Sequence, residues 1–327
     1  MGNTSIEWTD KTWNPTRGCS RVSAGCTHCY AERQAARFAE IVPSDTPGGG
    51  IAGPFYGFVT KINGHPSWTG KVELIESKIL EPLSWRKPAR VFVNSMSDLF
   101  HEALPDEAVD RVFAVMALTP HITYQILTKR PKRMREYVSG QQHGRMCRVA
   151  QGIPVRGEKP NAPFPLPNVW LGVSAEDQKT ADERIPLLLK TPSAVRFVSH
   201  EPALGPVDFV RIHCGAGYTG NSLHGAPIFG VPADAMAKRP WPAIDWVIVG
   251  GESGPGARPF DISWARNTIQ QCNVASVACF VKQLGSQPYE KLPGDMNAQP
   301  LFPELNDRKG GNMDEWPEDL RVREFPK

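Results

Sequence analysis

Apolar residues along this chain gather in short runs, separated by stretches in which they return at every third or fourth position. Residues 71–75, 90–94, 123–128, 168–174, 195–199, 246–250 and 278–282 read as strands. Most are Val-, Ile- or Phe-rich and lack the in–out alternation of a half-exposed strand, so both their faces are expected to be covered. Residues 30–39, 77–85, 105–118, 131–138, 178–190 and 262–272 carry the helical period, and Pro131 sits where a helix accepts proline, in its first turn. The opening, residues 5–15, is rich in β-formers and stops at Pro15, so it supplies a further strand and brings the count to as many as eight.

Strands of this kind alternating with helices predict an α/β fold, a single (β/α) barrel-like domain over residues 1–284, followed by an extension over 285–327 with little of its own to bury. Residues 44–70 read as a long Gly- and Pro-rich loop. Two further Gly- and Pro-rich insertions, 141–167 and 211–242, interrupt the alternation. Polar residues collect where the strands end: Asn94-Ser95-Met96-Ser97-Asp98, Thr128-Lys129-Arg130, Ser174-Ala175-Glu176, Ser199-His200-Glu201 and Gly250-Gly251-Glu252-Ser253. A parallel α/β barrel builds its active site on that face.

Composition narrows the picture little. At 40% hydrophobic and 22% charged the chain is ordinary for a soluble globular protein, and a net charge of +3 permits a nucleic-acid partner without arguing for one. No apolar run reaches the length of a membrane span and the start lacks a signal-peptide core, so a cytoplasmic protein is expected. The nine tryptophans fall mostly within predicted elements, where packing is their first use.

Candidate chemistry sits in one loop. Of seven cysteines, Cys19, Cys26 and Cys29 fall within eleven residues, spaced C-x6-C-x2-C, and the other four are scattered as small hydrophobes would be. Three neighbouring thiolates suit iron–sulfur iron or zinc. Both metals ask for a fourth ligand. A closed zinc site would take it from His28, His213 or Cys214, making a non-catalytic nucleic-acid or protein-interaction module. An open fourth position would admit a substrate or cofactor instead. A third possibility is a cluster that only senses redox state or passes electrons.

A three-cysteine loop ending Cys-x-x-Cys-Tyr after the first strand of a βα barrel resembles the radical S-adenosylmethionine superfamily, although the usual first gap there is three residues, not six. The opening IEWTDKTWNP…GC…GCTHCYAE is similar to a phage- and mobile-element-encoded radical-SAM-like family over most of the chain. A more distant likeness is to spore photoproduct lyase-like proteins, which carry a Ser-Asp and a Thr-Lys after successive strands, as Ser97-Asp98 and Thr128-Lys129 do here. The resemblance implies a [4Fe–4S] cluster on Cys19, Cys26 and Cys29, with S-adenosylmethionine bound at the fourth iron. It implies an external electron donor and a 5′-deoxyadenosyl radical that takes hydrogen from a substrate such as a DNA, RNA or nucleotide base. Ser97 and Lys129 inherit the role of holding the carboxylate of S-adenosylmethionine, a pairing that charge and hydrogen bonding favour. Ser95 stands where the lyase has its hydrogen-donor cysteine, so dimer repair by that route is not expected.

Other strand-end groups complete the expected site. Tyr30 follows the last cysteine and is expected to line the reaction space. Ser95, Asp98, Ser174, Glu176, Glu201 and Glu252 are expected to reach the cofactor, the carboxylates by accepting from an amine or a ribose. His200 is a candidate proton donor. The basic run Lys129-Arg130-Pro131-Lys132-Arg133-Met134-Arg135 opens a helix, where phosphates would be welcome.

Overall fold

A computed structural model describes residues 4–39, 41–43, 50–140, 142–154, 163–215, 218–225, 242–290 and 305–327. The chain divides into two compact units, Met1–Trp170 and Leu171–Lys327.

In the first unit the expected opening strand shortens to β1 (Lys11–Trp13), and β2 (Thr16–Arg17) follows after a proline. Helix α1 (Tyr30–Arg37) comes after the cysteine loop. Residues 59–68, expected as loop, form a hairpin of β3 (Val59–Ile62) and β4 (His65–Trp68). Its turn is Asn63-Gly64, both at positive φ, the pair that a tight two-residue turn favours. Nearly all of β3 is exposed, so no in–out pattern announced it. The strand expected over 71–75 is reduced to β5 (Glu73–Leu74), and it pairs antiparallel with β2 rather than joining the parallel set.

Then come α2 (Glu76–Ile79), β6 (Ala89–Val93), α3 (Asp106–Leu118), β7 (Ile122–Thr128), α4 (Pro131–Ser139) and α5 (Gln142–Gly152). Helix 77–85 breaks because Pro82 cannot continue it, and Glu81–Ser84 tightens into a 3₁₀ turn. Strands β1, β6 and β7 pair in parallel, Trp13 opposite Val93 and Phe92 opposite Gln125. The buried face of α3, with Val109, Val112, Phe113 and Met116, supplies much of the core. Helix α5 occupies part of the expected insertion 141–167 and packs on α3; Met146 and Ala150 are buried on it, and Ile153 just past its end.

Strand β8 (Val169–Ser174), within which the division falls, leads into the second unit. There it is followed by α6 (Gln178–Leu189), β9 (Val195–His200), a hairpin of β10 (Ile212–Gly215) and β11 (Tyr218–Gly220), β12 (Trp246–Gly250), α7 (Ile262–Ala275) and β13 (Ala278–Gln283). The strands lie in the order β8-β9-β12-β13, with β9–β12 and β12–β13 parallel. The rest of the insertion expected over 211–242 lies largely outside the described residues. The fold is thus α/β, built from helices and parallel strands in alternation. No helix among the described residues is long and apolar enough to cross a membrane.

The C-terminal extension buries more than its composition suggests. Trp316 and Leu320 are buried, and the Trp316 indole donates to the Gly310 carbonyl (3.0 Å). Backbone bonds run from Val281 to Val322 and from Glu324 to Cys279, each 2.8 Å, so the tail lines β13. The ring of Phe325 packs on Trp246 and Phe280. Trp316→Ala should therefore cost about 3–5 kcal/mol, read as a lowered denaturant midpoint; a change within experimental error would mean the tail is a passive wrapper.

Candidate metal and cofactor site

The cysteine loop is held by its stem before any cysteine side chain matters. Gly18 forms a parallel bridge to Ser97 at φ +89°, a conformation that favours glycine. A Cβ there would lie 1.9 Å from the Lys71 carbonyl oxygen and 2.7 Å from Cδ1 of Phe58. From the other side, the turn after β6 grips β2. The Ser97 hydroxyl donates to the Thr16 carbonyl (3.0 Å) and lies 2.7 Å from the Thr16 hydroxyl, while Thr16 N–H donates to Asn94 Oδ1 (3.4 Å). Ser95 Oγ and Met96 N–H both donate to Asn14 Oδ1 at 3.2 Å. Asn94 takes the left-handed conformation, φ +65°, and its buried amide nitrogen has no hydrogen-bond partner.

Cys19 leaves this stem alone, and Cys26 and Cys29 follow on the 3₁₀ turn Ala24–Cys26 and the N-terminus of α1. All three are free and half-buried. Their sulfurs feel one another: burial first, with Asp98 and Cys29 adding to it, pushes the Cys19 thiol up to about 12. Burial, with Cys26 adding to it, raises that of Cys29. Among the described residues, no group of three or more His, Cys, Asp and Glu side chains stands close enough to grip a metal as it is.

The donor set nevertheless fits an iron–sulfur cluster. It consists of sulfur alone, and a cation waits beside it: Arg130 Nη1 lies 3.8 Å from Cys19 Sγ. Arg130 is buried and all five of its N–H donors are engaged. Nε donates to Glu102 (2.8 Å), Nη1 to Asp98 (3.0 Å) and to Cys19, and Nη2 to the Ser20 carbonyl (3.2 Å) and hydroxyl (2.7 Å). Burial opposes its charge, but Asp98, with Cys19 and Glu102 adding to it, outweighs that and holds it protonated.

Asp98 bolts the ends of β6 and β7 together. It accepts from Phe100 N–H (3.0 Å), the Thr128 hydroxyl (2.7 Å), Lys129 N–H (3.1 Å) and Arg130. Sequence reasoning placed Asp98 on the cofactor; the structure occupies its carboxylate with the chain itself. His101 adds a second brace. Its Nδ1 accepts from Ala103 N–H (3.1 Å), so the ring proton is on Nε2 and donates to Ser20 Oγ (2.9 Å). Burial, then Arg130, lowers its pKa, in keeping with a neutral ring. That polarity is the reverse of a serine nucleophile activated by histidine, which needs Nε2 as acceptor.

On the other flank Glu32, buried in α1, accepts from Arg21 (2.6 Å) and from Trp68 N–H (2.6 Å), tying the loop to the β3–β4 hairpin. Tyr30 is exposed and its hydroxyl donates to the Ser95 carbonyl (2.5 Å). Ser95, Ser97 and Lys129 are half-buried beside this assembly. Within the basic run Arg130 is engaged as above and Arg133 pairs with Asp106, while Lys132, 4.0 Å from Glu136, and Arg135 stay exposed.

In the second unit the expected carboxylates are already paired. Buried Glu176 meets Arg184 (3.0 Å), which also donates to the Ser174 carbonyl (2.8 Å). Glu201 pairs with Lys282, and Glu252 takes Arg258 through both side-chain and backbone nitrogens. The cap of α6 is Asp177, accepting from Thr180 N–H (2.8 Å). His200 is wholly buried, bonded through Nε2 to the Gly205 carbonyl (3.0 Å), and burial lowers its pKa to about 4. Burial thus favours its neutral ring. His213 and Cys214 lie on the β10–β11 hairpin of this unit.

Arg130, Ser20 and His101 are what sequence reasoning missed. The contacts His101–Ser20 and Arg130–Cys19 span 81 and 111 residues, and no local pattern reports such a contact. A family model described as a protein of unknown function, DUF5131, matches residues 3–315. No curated protein and no solved structure matches the chain.

Proposed function

The chain belongs to the DUF5131 family, and on the strength of its cysteine loop we propose that it is a radical S-adenosylmethionine enzyme built on a partial (β/α) barrel. One observation carries the reading: three sulfur ligands on a loop whose stem is pinned by Gly18 and Ser97 and whose first sulfur faces a buried arginine. Cys19, Cys26 and Cys29 would hold a [4Fe–4S] cluster, leaving one iron open. When bound and reduced, the cluster supplies the electron that breaks the sulfonium of S-adenosylmethionine.

The chain's own part is to bind, orient and shield. Ser97 and Lys129, at the ends of neighbouring strands, suit a carboxylate; the unpartnered amide of Asn94 is a further buried donor at the same strand end. Tyr30 stands over Ser95 next to the last ligand. The substrate class, a nucleic-acid base or nucleotide, rests on the resemblance to spore photoproduct lyase-like proteins and to the mobile-element family, and on the basic run, of which Arg130 and Arg133 are held in ion pairs. An external one-electron donor belongs to this reading.

The test uses protein purified and reconstituted without oxygen. Iron, sulfide and zinc are measured with the visible spectrum, then 5′-deoxyadenosine is assayed after dithionite and S-adenosylmethionine are added. The wild type should carry about four irons per chain. Cys26→Ala should lose most of its iron and all detectable 5′-deoxyadenosine, while keeping its circular dichroism spectrum. A colourless wild type with one tightly held zinc would replace the enzyme with a binding module.

A further inference from the structure

The six-residue gap between Cys19 and Cys26 sets the first ligand apart from the other two. Cys26 and Cys29 share one short turn entering α1, so each fixes the other's position. Cys19 has no such neighbour in sequence. What it has is a buried guanidinium from the far end of β7, which touches its sulfur (3.8 Å) and grips both the carbonyl and the hydroxyl of Ser20. The same guanidinium is fixed in turn by Asp98 and Glu102. His101 secures Ser20 from a second direction.

We propose that Arg130 is a positioning residue that locks Cys19 in place and sets the reduction potential of the metal centre bound there. This rests on the reading of the loop as a cluster site. A buried cation donating N–H to a ligand sulfur favours the more negative, reduced form of a cluster. Lysine at 130 keeps one positive charge against Asp98 but lacks the fork that reaches Asp98, Cys19 and Ser20 together. Ser20→Ala removes one strand of the latch and leaves the Arg130–Asp98 pair untouched.

Two measurements separate the inference from the reading beneath it. Hydrogen–deuterium exchange on the metal-free chains follows residues 19–23, where Arg130→Lys should speed exchange severalfold, with Ser20→Ala intermediate. An anaerobic titration of the reconstituted proteins with dithionite, one electron per cluster, followed by electron paramagnetic resonance, gives the midpoint potential. It should move to a more negative value in Arg130→Lys and by less in Ser20→Ala. Where the lysine variant does not fold, Ser20→Ala decides. Variants that exchange like wild type and keep its midpoint overturn the proposal. A wild-type protein that takes up zinc and no iron overturns the cluster reading instead.

Discussion

Gly18→Ala is expected to disrupt the cysteine loop. The residue sits at φ +89°, and a methyl group would be driven to within 1.9 Å of the Lys71 carbonyl oxygen, with Phe58 on its other side. Neither neighbour yields cheaply: one is backbone, and the other is a ring buried in the small core beneath the loop with Ala31, Ala35 and Trp68. Arg17 and Lys71 also lie over that ring, 4.8 and 4.5 Å from its centre. The strained dihedral and the clash act together, so a loss on the order of 4 kcal/mol is expected, read from chemical denaturation. On the cluster reading, iron uptake should fall to background as well. A Gly18→Ala protein that loads metal normally would show that the loop is not anchored through this stem.

Asp98→Asn should be nearly as damaging. The carboxylate is buried, accepts four hydrogen bonds, and is the inward partner of a guanidinium that is itself buried. Asparagine keeps the shape but removes the charge and turns one acceptor into a donor facing Arg130. Breaking a buried pair from one side costs about 3–5 kcal/mol, because the remaining charge has no water to return to. Glu102→Gln provides the contrast. It touches the same arginine, but its side chain is 64% exposed, so about 1 kcal/mol or less is expected. Equal effects in the two variants, compared by denaturant midpoint, would mean that Arg130 draws its support from elsewhere.

Much of the fold was legible because parallel strands covered on both faces must be apolar throughout. Val91–Val93 and the wholly buried Trp246–Gly250 are written that way. The site was legible where chemistry is concentrated in sequence: three cysteines in one loop, Ser97-Asp98 and Thr128-Lys129 at strand ends. It was not legible where a residue serves a distant partner. Arg130 looked like one more solvated cation in a basic run, yet its side chain is among the most buried charges of the first unit. Asp98 looked like a ligand for a cofactor because a carboxylate at a strand end so often is, and nothing local announced the backbone amides that claim it. The tail misled for another reason: Trp316 and Phe325 are isolated apolar residues in a polar stretch, and their burial depends on β13 being there to receive them.

The distances in sequence across the Arg130 latch bear on the order of assembly. The cysteines are made first, and the arginine that steadies Cys19 follows 111 residues later. A chain growing on the ribosome therefore presents three thiols long before the clamp exists, and β6 and β7 must be paired before Asp98 can aim it. Metal delivered to so early a chain would meet a slack loop, open to the wrong ion or to oxidation. On the cluster reading, metal arriving after the first unit has folded would meet a Cys19 already held by the Arg130 latch.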